Sequence, residues 1–504
     1  MTAGDLVLSV DCSTTACKAI VWDAAGGEVA SGRQGFPLLN PVPDGYEQDA
    51  GDWSSALFAA IGEAVRQLTP ERRRAIRALG LTHQRETFVL TDRGGQPLLP
   101  AVVWMDSRCR RHVELAQARL DPDEIHRISG KPVCTTPSLY KLMFLLAEHP
   151  EVARQAPMVL DVHGYLAFAL TGRFATSLAS ADPTGLIDMQ ARDWSPELLE
   201  LAGIGRAQLA ELFAPGAVFG VLQPDAATRC DLPPGLPVVA GAGDGQAAGL
   251  GAGISGPGRA YLNLGTAIVS GVLSRTYTTD RAFRTMYGAL PDSYFLETDL
   301  KGGTFTLGWL VETLLERDGS ELARLEQQAR ALPPGAGGLL LLPYFNAVMN
   351  PYWDDDASGA ILGLDGSHGP AHLLRAALEG IALEQRLHSR AVEAASGVPI
   401  DELVVMGGGS ESDLFCQIVA DVLDRRIVRA RSAQATSLGA AILAASAAGL
   451  HPDIAAATRA MTADGDAFEP GPHREIYDRL FNEAYVGLYP ALKNTMHALK
   501  RLRV

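Results

Sequence analysis

Asp244 is the carboxylate of this chain best placed to act on another molecule. It lies in the stretch Leu236-Pro237-Val238-Val239-Ala240-Gly241-Ala242-Gly243-Asp244-Gly245-Gln246. The apolar run 236–240 predicts a buried strand, and the small residues from Gln246 onward predict a helix. Asp244 then stands on a glycine-flanked corner between the two. Glycines there permit positive φ and let another molecule's backbone or phosphate come close. A carboxylate so placed serves as a general base when a substrate hydroxyl reaches hydrogen-bond distance. The same residues also fit a plain strand-to-helix turn with an N-capping Asp.

Other stretches suit phosphate. A predicted strand at 6–10 runs into Asp11-Cys12-Ser13-Thr14-Thr15, with Lys18 leading into a second strand at 19–23. Backbone N–H groups in such a turn form an anion-binding concavity, and Thr14 and Thr15 add hydroxyl donors. Asp11 suits a hydrated magnesium ion, which takes few carboxylates and keeps several waters. A polar hairpin with no ligand is the competing reading. Residues 259–273 repeat the pattern: strand, Asn263-Leu264-Gly265-Thr266, strand. Two matching hairpins about 250 residues apart predict two related lobes facing each other. Farther on, a strand at 402–406 enters Gly407-Gly408-Gly409-Ser410, and a helix follows at 412–423. Strand, triple glycine and helix N-terminus make a nucleotide cradle, with Asp413 beside it on the helix. It is neither GxxxxGK[ST] nor GxGxxG with a downstream acid, which sets aside P-loop and Rossmann readings. A small-residue helix at 437–448 is expected to pack closely behind the cradle.

A third group suits a polyhydroxylated ligand. Arg85 and Glu86 sit in Thr82-His83-Gln84-Arg85-Glu86-Thr87, between predicted strands at 76–81 and 88–91. A guanidinium donor beside a carboxylate acceptor can grip several hydroxyls at once. A surface ion pair at a strand end is the alternative. A predicted strand at 102–104 ends in Trp104-Met105-Asp106-Ser107-Arg108, which has the makings of a site wall.

The scaffold must hold these groups together. The chain has 504 residues, 47% hydrophobic and 20% charged, ample for more than one core. Its net charge of −15 argues against a nucleic-acid partner. No apolar run is long enough to span a membrane, and the N-terminus has no basic region before a strand pattern begins. Six widely spaced cysteines, with no CxxC pair, suggest neither a disulfide framework nor a zinc site, and so a reducing cytoplasm. A helix at 52–68 shows one apolar stripe of Leu57, Ile61, Ala64, Val65 and Leu68, and a second helix is expected at 138–149. Asp161, His163 and Asp182 fall in an expected loop region, with His163 a satisfied interior histidine. Residues 190–235 give no reading. After Lys301-Gly302-Gly303 a helix is expected to bury Leu307, Leu310 and Leu314, and residues 339–342 read as a strand. Asn350 to Asp354 reads as a polar aromatic loop, and a long helix at 372–395 has Leu373, Ala377, Ile381 and Leu387 as its inner face.

The order of these motifs resembles the FGGY family of carbohydrate kinases, of the actin and hexokinase superfamily. Asp11-Cys12-Ser13-Thr14-Thr15 resembles the first phosphate motif, usually DxGTT, and Asn263-Leu264-Gly265-Thr266 the second. Asp244 resembles the catalytic base. Val405-Met406-Gly407-Gly408-Gly409 resembles the adenosine motif, and Ser437-Leu438-Gly439-Ala440-Ala441 the helix that closes it. The likeness runs from about residue 6 to 450. It implies an α/β fold of two ribonuclease-H-like lobes with an active-site cleft between them, at 1–247 and 248–504. It implies ATP and Mg²⁺ as cofactors, and a small-molecule sugar or polyol as substrate, with no nucleic-acid or membrane partner. A homodimer is the assembly left open. On this resemblance Asp244 is catalytic. Gln84, Arg85, Glu86, Trp104, Asp244 and Gly245 bind the acceptor. Ser13, Thr14, Thr15, Lys18, Gly265, Thr266, Gly408, Gly409 and Asp413 bind the nucleotide. Asp11 and Asp244 are the metal positions.

Two departures stand out. Ser13 replaces the usual glycine of DxGTT, and Lys18 stands where several members have Arg, keeping the charge but losing the bidentate fork. The stretch 81–87 and Pro351-Tyr352-Trp353-Asp354 resemble glycerol kinases. Those enzymes carry a tyrosine near Thr136, a phenylalanine near Val269, and Gln where this chain has Gly245. The smaller residues favour a ketopentose such as xylulose, with glycerol second. The residues after Gly253 and around Gly369 also read more like the xylulose kinase branch. An actin-like or chaperone-like ATP-binding module is the alternative from another class.

Overall fold

The structure, a computed structural model, describes residues 4–345 and 347–502. Leu6–Cys12 is a nearly continuous apolar run, and it is buried almost throughout. Such a run belongs in the middle of a sheet rather than at its edge. It pairs antiparallel with Ala16–Asp23, which pairs antiparallel with Glu28–Gly35. On its other side it pairs parallel with Ile76–His83, and that strand with Pro237–Gly243. Val218–Val221 completes a six-stranded sheet.

The second half repeats the plan. Gly258–Leu264 pairs antiparallel with Ile268–Ser274, which pairs antiparallel with Tyr294–Leu300. It pairs parallel with Ile400–Met406, and that strand with Arg426–Ala430. Arg284–Tyr287 and Asp464–Phe468 extend the edges to seven strands. Each sheet thus places three antiparallel strands beside two parallel ones, in the same order. The two similar hairpins occupy equivalent places in two lobes. The expected division after residue 247 falls inside the helix Asp244–Gly251.

Helices cover both faces. Ala50–Arg66 begins where Asp49 accepts a hydrogen bond from Gly51 N–H, and it buries Trp53, Leu57, Ile61 and Val65 against the first sheet. One hydrophobic core runs across the lobe boundary, joining Val239, Ala247 and Leu250 to Tyr261, Phe295 and Leu438.

Several expectations are corrected. The helix Ala435–Ala447 does not pack behind the glycine cradle; it lies against Asp244–Gly251 and the first sheet. Small residues make that approach possible. A Cβ on Gly439 would stand 2.0 Å from the Ala247 carbonyl, and one on Gly80 2.3 Å from the Ala440 carbonyl. Ser437 Oγ meets Ser9 Oγ at 2.7 Å across the same seam. Leu314 is exposed, although Leu307 and Leu310 are buried. The helix Thr304–Gly308 widens into a π-turn at Trp309–Leu314, and the extra residue per turn rotates Leu314 outward while Val311 turns in. The region of Asp161 and His163 is a strand, Met158–Asp161, and a helix, Val162–Thr171, capped by Asp161. His163 is fully buried, accepts from Gly241 N–H at 3.2 Å, and is held neutral by burial, which lowers its pKa to about 3. The strand at Trp104 is only Ala101–Val102. The loop from Asn350 to Asp354 borders a cleft through Trp353 and Asp354, as a surface or cleft loop should, although Asn350 itself is fully buried. All six cysteines are free. Among the described residues no helix is long and apolar enough to cross a membrane.

Candidate active site

The strand Pro237–Gly243 delivers Asp244 to the first position of the helix Asp244–Gly251, with Gly243 as the N-cap. Asp244 is therefore not the capping residue. None of the neighbouring glycines has positive φ. Their role is close approach, and what approaches is the protein itself. A Cβ on Gly241 would lie 1.5 Å from the Leu81 carbonyl, one on Gly243 2.5 Å from Arg85 Cγ, and one on Gly245 2.8 Å from Glu297 Oε2. The glycines let Arg85 lie flat along the corner.

Arg85 is buried and held on two sides. Its Nε donates to Asp244 Oδ1 at 2.8 Å, and its Nη1 to both oxygens of Glu297 at 3.0 and 2.8 Å. Burial works against its charge, but Glu297, then Asp244 and Glu86, outweigh burial and raise its pKa above the usual value. Asp244 keeps 45% of its side chain exposed, so this carboxylate faces open space while its neighbours do not. Glu86 holds a left-handed backbone, φ +58°, and its Oε1 accepts from Arg284 Nη1 at 2.9 Å. Burial raises the Glu86 pKa, with Arg284 and Arg85 opposing. Glu297 also accepts from Arg284 Nη2 at 2.6 Å and from Tyr261 Oη at 2.7 Å. Burial alone would raise its carboxyl pKa, yet Arg85 and Arg284 bring it down to about 2.

Asp11 is the last residue but one of the strand Leu6–Cys12, paired across the hairpin with Lys18. Its Oδ1 is buried and has no hydrogen-bond partner. Burial, then the nearby Asp244 charge, raises its pKa to about 7, with Lys18 opposing. Two carboxylates close together, one with an orphaned buried oxygen, fit a hydrated divalent cation such as Mg²⁺. Past Asp11 the turn is backed by Trp104, whose Nε1 donates to Thr14 Oγ1 at 3.1 Å. Ser13 Oγ turns back to the Ala16 carbonyl at 3.0 Å, and Thr15 is exposed.

The second hairpin meets the glycine cradle directly. Gly407 has φ +82°, and a Cβ there would stand 2.4 Å from Asn263 Oδ1. A Cβ on Gly409 would stand 2.9 Å from the Leu264 carbonyl, whereas Gly408 faces open space. Gly265 accepts from Thr304 N–H and Oγ1 at 2.9 and 2.8 Å, and Thr266 is exposed at the tip. A short 3₁₀ turn, Gly408–Glu411, separates the strand from the helix Asp413–Leu423.

Two expected site residues are engaged elsewhere. Gln84 is buried, donating to Gln48 Oε1 at 2.9 Å and accepting from Thr87 Oγ1 at 3.2 Å. Asp413 is exposed and holds Arg429 Nη2 at 2.7 Å. Glu297, Arg284 and Tyr261 are the residues that reading the sequence missed. A signal was present: Glu297 interrupts the apolar strand Tyr-Phe-Leu-Glu-Thr-Asp-Leu, and a buried charge in a strand demands a partner. A polar cleft of about 290 Å³, which none of these charged residues lines, is bounded by Arg110, Glu114 and Thr136 from the first half and Lys301, Trp353 and Asp355 from the second.

With this geometry in place the comparisons are decisive. The N-terminal domain model of the FGGY family of carbohydrate kinases matches residues 6–251, and its C-terminal domain model residues 260–448. The chain belongs to the FGGY family of carbohydrate kinases. A glycerol kinase of Alkalilimnicola ehrlichii is 34% identical over 480 residues, 91% of this chain and 93% of that protein. A xylulose kinase of Bacillus subtilis is 28% identical over 508 residues, 99% of each chain. The crystal structure of xylulose kinase from Rhodospirillum rubrum superposes with a TM-score of 0.91 at 29% identity, covering 98% of this chain and all of that one. As a two-domain FGGY kinase, the chain is a sugar phosphotransferase, which sets aside the ATP-binding module without sugar chemistry.

Proposed function

We propose that this kinase transfers the γ-phosphate of Mg-ATP to a hydroxyl of a ketopentose such as xylulose, with Asp244 as the general base, in a cytoplasmic setting. The observation that carries the reading is Asp244 itself: a half-exposed carboxylate, anchored on one side by buried Arg85, at the meeting of the two lobes. A hydroxyl arriving on its open side can give up its proton there. Arg85 and Glu86 orient the acceptor's hydroxyls. Backbone N–H groups of 14–15 and 265–266 cradle phosphate oxygens, with Lys18 adding charge on the first hairpin, which Ser13 N–H closes by donating to the Ala16 carbonyl at 2.9 Å. Gly408 leaves room against the adenosine, and Gly409 brings the cradle onto the second hairpin. Asp11 and Asp244 would hold Mg²⁺, which when bound neutralises phosphate charge. Phosphoryl transfer needs little beyond such positioning and charge neutralisation.

The ketopentose rests on size. Thr136 lines the 290 Å³ cleft, and Val269 is only half-buried, where glycerol kinases carry larger aromatic residues. A triol would fill such a pocket with water and lose contacts that hold its hydroxyl in line. Glycerol remains the second reading, favoured by the 34% identity to a glycerol kinase. The test is a side-by-side kcat/KM comparison of xylulose, glycerol and gluconate at saturating Mg-ATP. Xylulose, or a related ketose or pentitol, should exceed glycerol by about tenfold, which takes only about 1.4 kcal/mol of differential transition-state binding. Glycerol winning would overturn the substrate and leave the kinase chemistry standing.

A further inference from the structure

We propose that Arg284 and Glu297, both from the second lobe, are positioning residues for the acceptor site: they hold Glu86 and Arg85 in binding geometry. The inference rests on the acceptor reading given above. Five side chains alternate in charge along one line that is buried except at Asp244. Asp244 meets Arg85 at 2.8 Å, Arg85 meets Glu297 at 2.8 Å, Glu297 meets Arg284 at 2.6 Å, and Arg284 meets Glu86 at 2.9 Å. Three of the five belong to the first lobe and two to the second. The line therefore crosses the lobe boundary twice. Arg85 and Glu86 can have this arrangement only while the lobes are together.

The cost of the line suggests that it does more than hold the lobes. A buried charge network is a poor way to gain stability, because apolar residues of similar volume do as well or better. Glu86 also sits at φ +58°, a region a non-glycine side chain occupies only when its surroundings impose it. The network is unfinished as well. Arg284 Nε and Asp299 Oδ1 are buried without partners, and Arg284 Nη2 reaches Asp299 Oδ2 only at 3.4 Å. Asp299 stands directly across the sheet from Val269. Arg284 thus ties Glu86, and Glu297 ties Arg85, to the paired strands Arg284–Tyr287 and Tyr294–Leu300 of the second lobe.

Each partner has a distinct expected effect. The charged groups facing Glu86 are Arg284, Arg85, Asp244 and Lys141. Burial raises the Glu86 pKa and Arg284 is the largest force opposing it, so Arg284→Gln should raise it further. The acid limb of kcat/KM for the acceptor should then move to higher pH. Glu297→Gln frees Arg85 from its bidentate hold. Misplaced grip on a reacting hydroxyl can cost up to about a hundredfold, so acceptor KM should rise about tenfold or more in either variant. KM for Mg-ATP should stay within about twofold, since neither residue touches the glycine cradle. Arg284→Lys and Glu297→Asp keep the charge and should fall between wild type and the neutral variants. They carry the same measurement if a neutral variant fails to fold. The assay is ADP release by the full-length chain with xylulose, glycerol and gluconate across a pH series. Wild type active, with acceptor KM and acid limb unchanged in the variants, would overturn this inference alone. Wild type phosphorylating none of the three would overturn the acceptor reading and this inference with it.

Discussion

Asp244→Asn separates catalysis from structure most sharply. Asparagine keeps the shape of aspartate and can still accept from Arg85 Nε through its carbonyl oxygen. Arg85 also retains both bonds to Glu297. The Asp244 side chain is 45% exposed, so its ion pair is well screened and worth under about 1 kcal/mol. Loss of that attraction is offset in part, because the Asp244 charge also repels Asp11. The variant should therefore fold, with a melting temperature within about 2 °C of wild type. Loss of a positioned base costs roughly 10²–10⁴ in rate, or about 3–5 kcal/mol of barrier. The predicted barrier change is several times the predicted stability change. Coupled ADP release should show kcat down by that factor, and thermal unfolding measured alongside should barely move. A kcat within threefold of wild type would refute the general-base role. A large kcat loss accompanied by a large fall in melting temperature would refute the claim that the residue's part is chemical.

Gly409→Val should raise KM for ATP by about tenfold while leaving the acceptor KM unchanged, because even a Cβ there meets the Leu264 backbone at 2.9 Å and pushes the cradle off the second hairpin. A fall in acceptor affinity instead would mean that the lobes have been given the wrong ligands. Asp11 should make magnesium binding depend on pH. Its pKa rises from 3.8 to about 7 on folding, so the native state holds a proton that the unfolded chain has lost. Its contribution to stability is then present below about pH 4 and disappears as pH rises through about 7. Mg²⁺ needs the ionised carboxylate, so its stabilising effect should grow from about pH 6 to about pH 8 and flatten in Asp11→Asn. Thermal unfolding with and without Mg²⁺ at the two pH values reads this directly, and equal Mg²⁺ increments at both would rule Asp11 out.

What could be read in the sequence was what is local. Asp11 through Thr15, Asn263 through Thr266 and Gly407 through Gly409 announce themselves because turn chemistry is written in neighbouring residues. Their two hairpins do occupy equivalent places in two sheets of the same order. What failed depended on distant partners. Gly241, Gly243 and Gly245 invited a reading of backbone freedom, yet each is glycine because Leu81, Arg85 or Glu297 comes too close for a Cβ. The helix Ala435–Ala447 was expected behind the cradle because its small residues signalled close packing, but small residues do not say against what. Leu314 kept its helical spacing in the sequence and lost its burial to a π-turn that no spacing reveals. Arg284 and Glu297 are the instructive cases. Arg284 is the lone charge of its strand and Glu297 the fully buried one of two in its own, and burial makes an unpaired charge untenable. Arg85 and Glu86, one of each sign, lie between two other buried strands and face the same constraint. Pairing Arg85 with Glu297 and Glu86 with Arg284 gives each of the four an opposite charge, and only a fold that brings the lobes together can do it. Unpaired charges in core strands are therefore a sequence-level clue to which elements meet at a site, even where no motif marks them.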